Sequence, residues 1–362
     1  MKKGQCMREA PWEQQQQQQS AREQQERSRL GVAPSMAEAA DAAAAQAGSP
    51  GAAEAINIPA HIQVPEDFPS ISIAVDMAAD GDIILIAPGE YRESINLNKD
   101  VTLMGHRGSP QECVLISKNA TTITFCARRG KLKNLSLRVE DTSNFFHCLV
   151  VENGEVEMES CQLSGGAWGI CINNRASATI RGCHIHDNKG TGVNVYGGAR
   201  LLLMESEVCA NRGRGISVSD SGTSVVLTGN LIHHCSDGVY VYGKANLRME
   251  ENYVHSNQDS GVTVHESGTT AVIKRNYMQR NGWGGVRIYS GAGADVQDND
   301  LQGNQSGALA IDKGSQAVVI VDNNQTAEAL PTGLNSPSFL KMRQSLAGSR
   351  SPLSSLPLNS PS

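Results

Sequence analysis

From position 169 onward the chain repeats one hydrophobic pattern, in which a small residue precedes two aliphatics that flank a variable position. The copies read Gly169-Ile-Cys-Ile, Gly192-Val-Asn-Val, Gly215-Ile-Ser-Val, Gly238-Val-Tyr-Val, Gly261-Val-Thr-Val, Gly285-Val-Arg-Ile and Ala308-Leu-Ala-Ile, in steps of 23, 23, 23, 23, 24 and 23 residues. Apolar and polar positions alternate within each copy, which is the period of a strand and not of a helix. Val193 and Val195 therefore face one way, and Asn194 and Tyr196 the other. A second alternating stretch follows at 199–204, 223–228, 245–250, 270–274 and 294–298. A third starts at Cys183, Ser206, Asn230, Asn252, Asn276 and Asn299 and ends two residues later on an aliphatic.

Three short strands per period of about 23 residues predict an all-β chain, a single-stranded right-handed parallel β-helix. No helix-period stretch lies inside a rung, which excludes leucine-rich, ankyrin and helical repeats. Each rung of such a solenoid buries its apolar face only by stacking on its neighbours. Less regular rungs precede the seven clear ones, through Ile95/Leu97, Val101/Leu103, Val114/Ile116, Ile123/Phe125, Leu132/Leu135/Leu137 and Val156/Met158. Roughly ten rungs at ~4.8 Å spacing predict a rod near 50 Å long. One asparagine per rung, at Asn188, Asn211, Asn257, Asn281 and Asn304 with Cys235 once in its place, predicts a turn ladder. The expected reasons are tolerance of left-handed backbone and amide-to-amide stacking along the axis.

An open solenoid end leaves strand edges bare, so a cap is required. Residues 69–79 fit one: Ser70 can cap a short helix, Ile71, Val75 and Ala78 share a face, and Gly81 can end it. The chain thus divides into a disordered Gln/Ala-rich tail at 1–61, the β-helix at 62–325 and a disordered Ser/Pro-rich tail at 326–362. The first tail carries the glutamine tract at 14–19 and an Ala-rich patch at 39–47, compositions that cannot bury a core. The second carries Ser336-Pro337, Ser351-Pro352 and Ser360-Pro361, which fit proline-directed phosphorylation.

A net charge of −6 with no long basic run points away from nucleic acid. Nine cysteines without a CxxC pair do not read as a disulfide framework. No stretch reaches the roughly 20 apolar residues of a spanning helix, and residues 1–12 lack the apolar run of a secretory signal. The expectation is an intracellular protein, cytoplasmic or nuclear, with no membrane partner and no cofactor.

The stretch Val64-Pro-Glu-Asp-Phe-Pro-Ser-Ile, with Ala74-Val-Asp, Gly81-Asp-Ile-Ile, Ala87-Pro-Gly-Glu-Tyr-Arg-Glu and Val101-Thr-Leu-Met-Gly, resembles the entry to pectin-lyase-like β-helix proteins. The later rungs, such as Asn276 to Asn281 to Gly285-Val, look like the repeats of carbohydrate-binding proteins and sugar hydrolases. Among eukaryotic proteins the chain is similar to the β-helix region of F-box-type and Shc-binding-type proteins. That resemblance implies a protein partner and an adaptor or substrate-recognition role, although residues 1–60 lack the aliphatic content of an F-box. The wider resemblance implies the alternative, a carbohydrate-binding or carbohydrate-active protein of lyase, hydrolase or esterase type. Polygalacturonase signatures and the Asp-Pro-His motif of alginate epimerases are absent.

Two outward columns hold the candidate binding residues. One runs Asn173, Tyr196, Ser219, Tyr242, His265, Tyr289, Asp312, and its neighbour runs Cys171, Asn194, Ser217, Tyr240, Thr263, Arg287, Ala310. Four of the seven tyrosines fall in them, and tyrosine on a rigid sheet offers a large amphipathic contact at small entropic cost. The expected flat binding face is Tyr196, Tyr240, Tyr242, His265, Arg287 and Tyr289. Asp220, Glu266, His265 and Arg287 are the acid–base candidates, since carboxyls two rungs apart approach the separation used by inverting glycosidases. A further column, His186, Cys209, His233 and His255, has His184, Tyr253 and Tyr277 one step away. It supplies the candidate ligands for a borderline metal.

Overall fold

The computed structural model describes residues 61–106, 108–140, 145–312 and 319–326. The predicted tails lie outside them, apart from His61 and residue 326, as do the glutamine tract and the three Ser-Pro sites. The described chain coils into three parallel sheets of twelve, ten and nine strands, with every strand paired to those one turn before and after. The longest sheet runs from His61–Val64 to Val319–Asp322, which makes about eleven turns where ten were expected. The ten-stranded sheet holds the repeated aliphatic triplets, from Ile95–Leu97 to Leu309–Ile311. The nine-stranded sheet runs from Gly89–Tyr91 to Tyr277–Gln279.

Register follows the repeat. Val193, Asn194 and Val195 lie opposite Ile216, Ser217 and Val218, which lie opposite Val239, Tyr240 and Val241. The inward aliphatics from Ile170 to Ile288 are fully buried, each contributing on the order of 1.5–3 kcal/mol. The small residue that opens each copy is set by backbone approach. A Cβ on Gly238 would lie 2.5 Å from the Gly261 carbonyl oxygen and 2.5 Å from Val254 Cγ1.

The asparagine column forms the expected ladder. Asn188 Nδ2 donates to Asn211 Oδ1 (2.8 Å), Asn257 Nδ2 to Asn281 Oδ1 (3.0 Å), and Asn281 Nδ2 to Asn304 Oδ1 (2.9 Å). Cys235 bridges the gap, its Sγ accepting from Asn211 at 3.8 Å and its backbone N–H donating to Asn257 at 3.1 Å. The left-handed residue, however, is the one before the ladder position: Asp187, Ala210, His234 (before Cys235), Ser256 and Arg280 have φ between 52° and 56°. Burial of the amide, and not backbone tolerance, selects asparagine here. A second ladder, not anticipated, runs Asn230, Asn252, Asn276, Asn299, Asn324 at the start of the third strand, with amide-to-amide distances of 2.9–3.0 Å.

The cap is helix α1, Ile71–Met77, which buries Ile71, Ala74 and Val75. Ser70 Oγ accepts from the Ile73 N–H at 3.3 Å. Glu93 takes the Ile71 and Ser72 N–H groups at 2.9 Å each, satisfying donors that a helix start leaves open. Gly81 does not end the helix. It stops at Met77, where Lys99 Nζ donates to the carbonyls of Asp76 and Ala78 at 2.5 and 2.7 Å. A strand also precedes the cap: His61–Val64 pairs with Ile83–Ile86, so His61 belongs to the β-helix and not to the tail.

Candidate functional site

Each sheet turns an outer face to solvent, and the three faces differ in chemistry. The twelve-stranded face is a run of ion pairs, including Lys131–Glu157 (3.2 Å), Lys133–Glu159 (2.9 Å) and Lys274–Asp295 (2.7 Å). Solvent-accessible pairs of this kind contribute little to stability.

The ten-stranded face carries the predicted columns, and the structure brings most of their side chains together. Tyr240 Oη lies 2.8 Å from Tyr289 Oη and 3.5 Å from His265 Nδ1. The His265 ring stacks on Tyr289 with centroids 4.3 Å apart, and Tyr242 meets Tyr240 edge-on at 5.5 Å. Arg214 lies 3.6 Å over the Tyr240 ring. Arg287 sits 4.6 Å from both Trp283 and Tyr289. Burial, followed by the Tyr289 hydroxyl, raises the Tyr240 phenol above its ordinary range and keeps it neutral. Tyr196 stands apart in a smaller group, bonded to Asn173 at 3.2 Å and edge-on to Trp168, which stacks on His147 at 4.6 Å. Cys171, Ser217 and Thr263 in the same columns are buried.

Asp220 and Glu266 occupy corners of this face with φ of 75° and 76°. Each braces the turn of the preceding rung. Asp220 Oδ2 accepts from Gly197 N–H and Glu266 Oε2 from Gly243 N–H, both at 3.0 Å. Thr223 and Thr269 add bonds to the next N–H, at 3.0 and 2.9 Å. Glu266 also approaches His265 Nδ1 at 3.8 Å. Both carboxylates are thus engaged in turn geometry, while Arg287 is held between two rings.

Residues that the columns did not single out complete the face. Asp237 is buried and accepts from Thr263 Oγ1 at 2.8 Å. Burial raises its carboxyl above the ordinary range, opposed by the Thr263 bond and assisted by Asp259. Arg214 and Asp237 share one repeat position, directly before the small residue, with Trp168, Thr191 and Ser260. That column of variable polar and aromatic residues is visible in the repeat once it is aligned.

The nine-stranded face collects imidazoles. His184 lies opposite Glu207, His186 opposite Cys209, Cys209 opposite His233, and His233 opposite His255. His184 Nε2 is 3.3 Å from Cys209 Sγ and 3.7 Å from Glu207 Oε2. His233 Nε2 is 2.9 Å from Glu207 Oε1. Of the predicted column only Cys209 sits in the tight donor group His184, Glu207, Cys209. His186 stacks behind His184 at 3.9 Å, and His255 behind His233 at 4.8 Å. Burial, aided by His186, lowers His184 to about 4, and burial with His233 does the same for His255. Glu207 carries no separate signal in the sequence, because a polar residue beside a valine in the third strand looks like an ordinary outward position.

None of the eight described cysteines is in a disulfide, and burial pushes Cys148 up to about 12. Among the described residues no helix is long and apolar enough to cross a membrane.

Comparison with known proteins bears on the fold. SHC SH2 domain-binding protein 1 homolog A of Xenopus laevis is 24% identical over 172 residues, 44% of this chain and 24% of that protein. SHC SH2 domain-binding protein 1 of Mus musculus is 22% identical over 137 residues, 37% of this chain and 20% of that protein. The matched region thus spans about a quarter of these relatives or less. The A-module of mannuronan C-5 epimerase AlgE6 from Azotobacter vinelandii superposes with a TM-score of 0.50 at 16% identity, covering 72% of this chain and 95% of that one, a likeness of fold alone. The family described as the right-handed β-helix region matches residues 136–272 and 168–326. Together these matches take in more than half of the 362 residues, so this chain belongs to the right-handed β-helix region family.

Proposed function

We propose that the chain is a non-catalytic β-helix scaffold that binds a protein partner on the outer face of its ten-stranded sheet, in the manner of an adaptor or recognition module. The observation that carries this reading is the rigid array of Arg214, Tyr240, Tyr242, His265, Tyr289 and Arg287 beside Trp283, whose indole is 49% exposed. Tyrosine, tryptophan and arginine are the side chains that dominate protein interfaces, and here they are already packed on one another by ring and cation–π contacts. Phe145, 79% exposed near His147 and Trp168, extends the apolar contact toward the Tyr196 group. The two relatives named as SHC SH2 domain-binding proteins support a protein ligand.

A second reading, an acidic or neutral glycan on the same face, rests on the buried Asp237 and the Tyr240–Tyr289 hydroxyl pair lying among aromatic rings. Affinity capture and a glycan array with the same protein separate the two. Tyr242→Ala and Tyr289→Ala should each reduce retention of the protein partner by roughly 30-fold, the effect of a ~2 kcal/mol anchor. Glycan retention with the same sensitivity would favour the second reading. Unchanged capture in both assays would refute the face.

A further inference from the structure

We infer that His184, Glu207 and Cys209 form a zinc site on the nine-stranded face, with three protein ligands and a fourth position open to water. The site lies on a different sheet from the proposed partner-binding face and does not depend on it.

The register of two neighbouring strands builds it. His184 stands directly opposite Glu207. Cys209 follows Glu207 by two residues and so shares its side of the sheet. One imidazole, one carboxylate and one thiol therefore converge, with donor atoms all within 4.8 Å of one another. Bonds of about 2.0–2.3 Å in a tetrahedron place neighbouring donors roughly 3.3–3.8 Å apart. The distances from His184 Nε2 to Cys209 Sγ (3.3 Å) and to Glu207 Oε2 (3.7 Å) are edges of that size.

The surroundings suit a divalent cation. Glu207 and Cys209 are only 7% and 8% exposed, so little water competes for their donor atoms. The His184 side chain is 32% exposed, which leaves one side of the cluster open to solvent. His233 supplies the outer support that ligating groups require. Its Nε2 reaches the second Glu207 oxygen at 2.9 Å, and its Nδ1 lies 2.6 Å from His234 Nδ1. Mixed thiolate, imidazole and carboxylate donors select zinc over the oxygen-seeking cations.

The test uses the full chain, free of any polyhistidine tag, reduced and stripped with chelator, then titrated with Co2+ and back-titrated with Zn2+. The expected result is one cobalt per chain, with a near-ultraviolet thiolate-to-cobalt charge-transfer band that Zn2+ abolishes. Cys209→Ser should remove that band, whereas Cys126→Ser, at the one exposed cysteine among the described residues, should retain it. His184→Ala and Glu207→Gln should weaken binding by more than about 100-fold, and His233→Ala by about 10–100-fold, as for an outer partner. Absence of the band in the unaltered chain, or its persistence in Cys209→Ser, overturns the site. Should Cys209→Ser fail to fold, His184→Ala on the open side decides the matter: unchanged cobalt affinity there refutes the assignment.

Discussion

A single amide explains why asparagine, and no isostere, fills the second ladder. Asn252 Oδ1 accepts from both the backbone and the side chain of Asn230, at 2.9 Å each. Its Nδ2 donates to Leu227 O, Glu250 O and Asn276 Oδ1 at 2.9–3.0 Å. Donor and acceptor on one short planar group are both needed, and the site is fully buried. Asn252→Ala would strand several buried partners, each costing roughly 1–3 kcal/mol, so a loss of about 3 kcal/mol or more is expected in urea denaturation. Asn194→Ala, on the half-buried outer face, should stay within about 0.5 kcal/mol. Equal effects at the two positions would refute the ladder's role. The asparagine period was legible in the sequence. Its reason was not, because left-handed backbone falls on the preceding residue and only the stacked turns show which side of the corner is dry.

At the scale of one rung, the small residue before each aliphatic triplet sets how closely successive turns approach. At Gly238 an added methyl would meet both the Gly261 carbonyl and the Val254 side chain. The backbone cannot shift there without disturbing bonds such as Gly238 N–H to Ser260 O (3.0 Å) and Val239 N–H to Gly261 O (3.0 Å). Gly238→Ala should therefore destabilise the fold by about 1–3 kcal/mol, as overpacking does, measured as a lower denaturation midpoint with unchanged slope. A midpoint equal to that of the unaltered chain would show that the rung can relax. Strand positions were readable because aliphatics alternate with polar residues. The end of α1 was not, since Lys99, more than twenty residues away, supplies the capping donor.

For the molecule as a whole, half-buried imidazoles make stability depend on pH. His147 Nδ1 accepts the Trp168 N–H at 3.1 Å, and burial lowers its pKa. His255 is held at about 4 by burial and by His233, His234 and Arg280, against Glu207. In the unfolded chain both titrate near 6.5. Between those values the unfolded state binds more protons, so stability is complete above about pH 6.5 and falls as pH drops toward 4. Asp237 acts in the opposite sense over its own range, because its native pKa is raised and the folded form takes up the proton first. His184 and His234 shift the same way, so with four imidazoles against one carboxyl, stability should fall from pH 7 to pH 5 by on the order of 2 kcal/mol or more, read as a lower Tm. His255→Asn should make the decline shallower. A flat or rising Tm would contradict the burial of these rings.

The sequence by itself determined the solenoid, its three strands per turn, the inward columns and the neighbours of each outward residue. This follows because a fixed period of 23 converts spacing directly into adjacency along the axis. It also placed Tyr240, Tyr242, His265, Arg287 and Tyr289 on one face. Only the tertiary structure decided what those neighbours do. Side-chain reach between columns, and not membership of a column, put Arg214 on Tyr240, tied Asp220 and Glu266 into turns, and moved the donor cluster from the His186–His255 column to His184, Glu207 and Cys209. Periodicity encodes position along the axis, whereas the direction and burial of each polar group depend on the corners that the chain turns between its sheets.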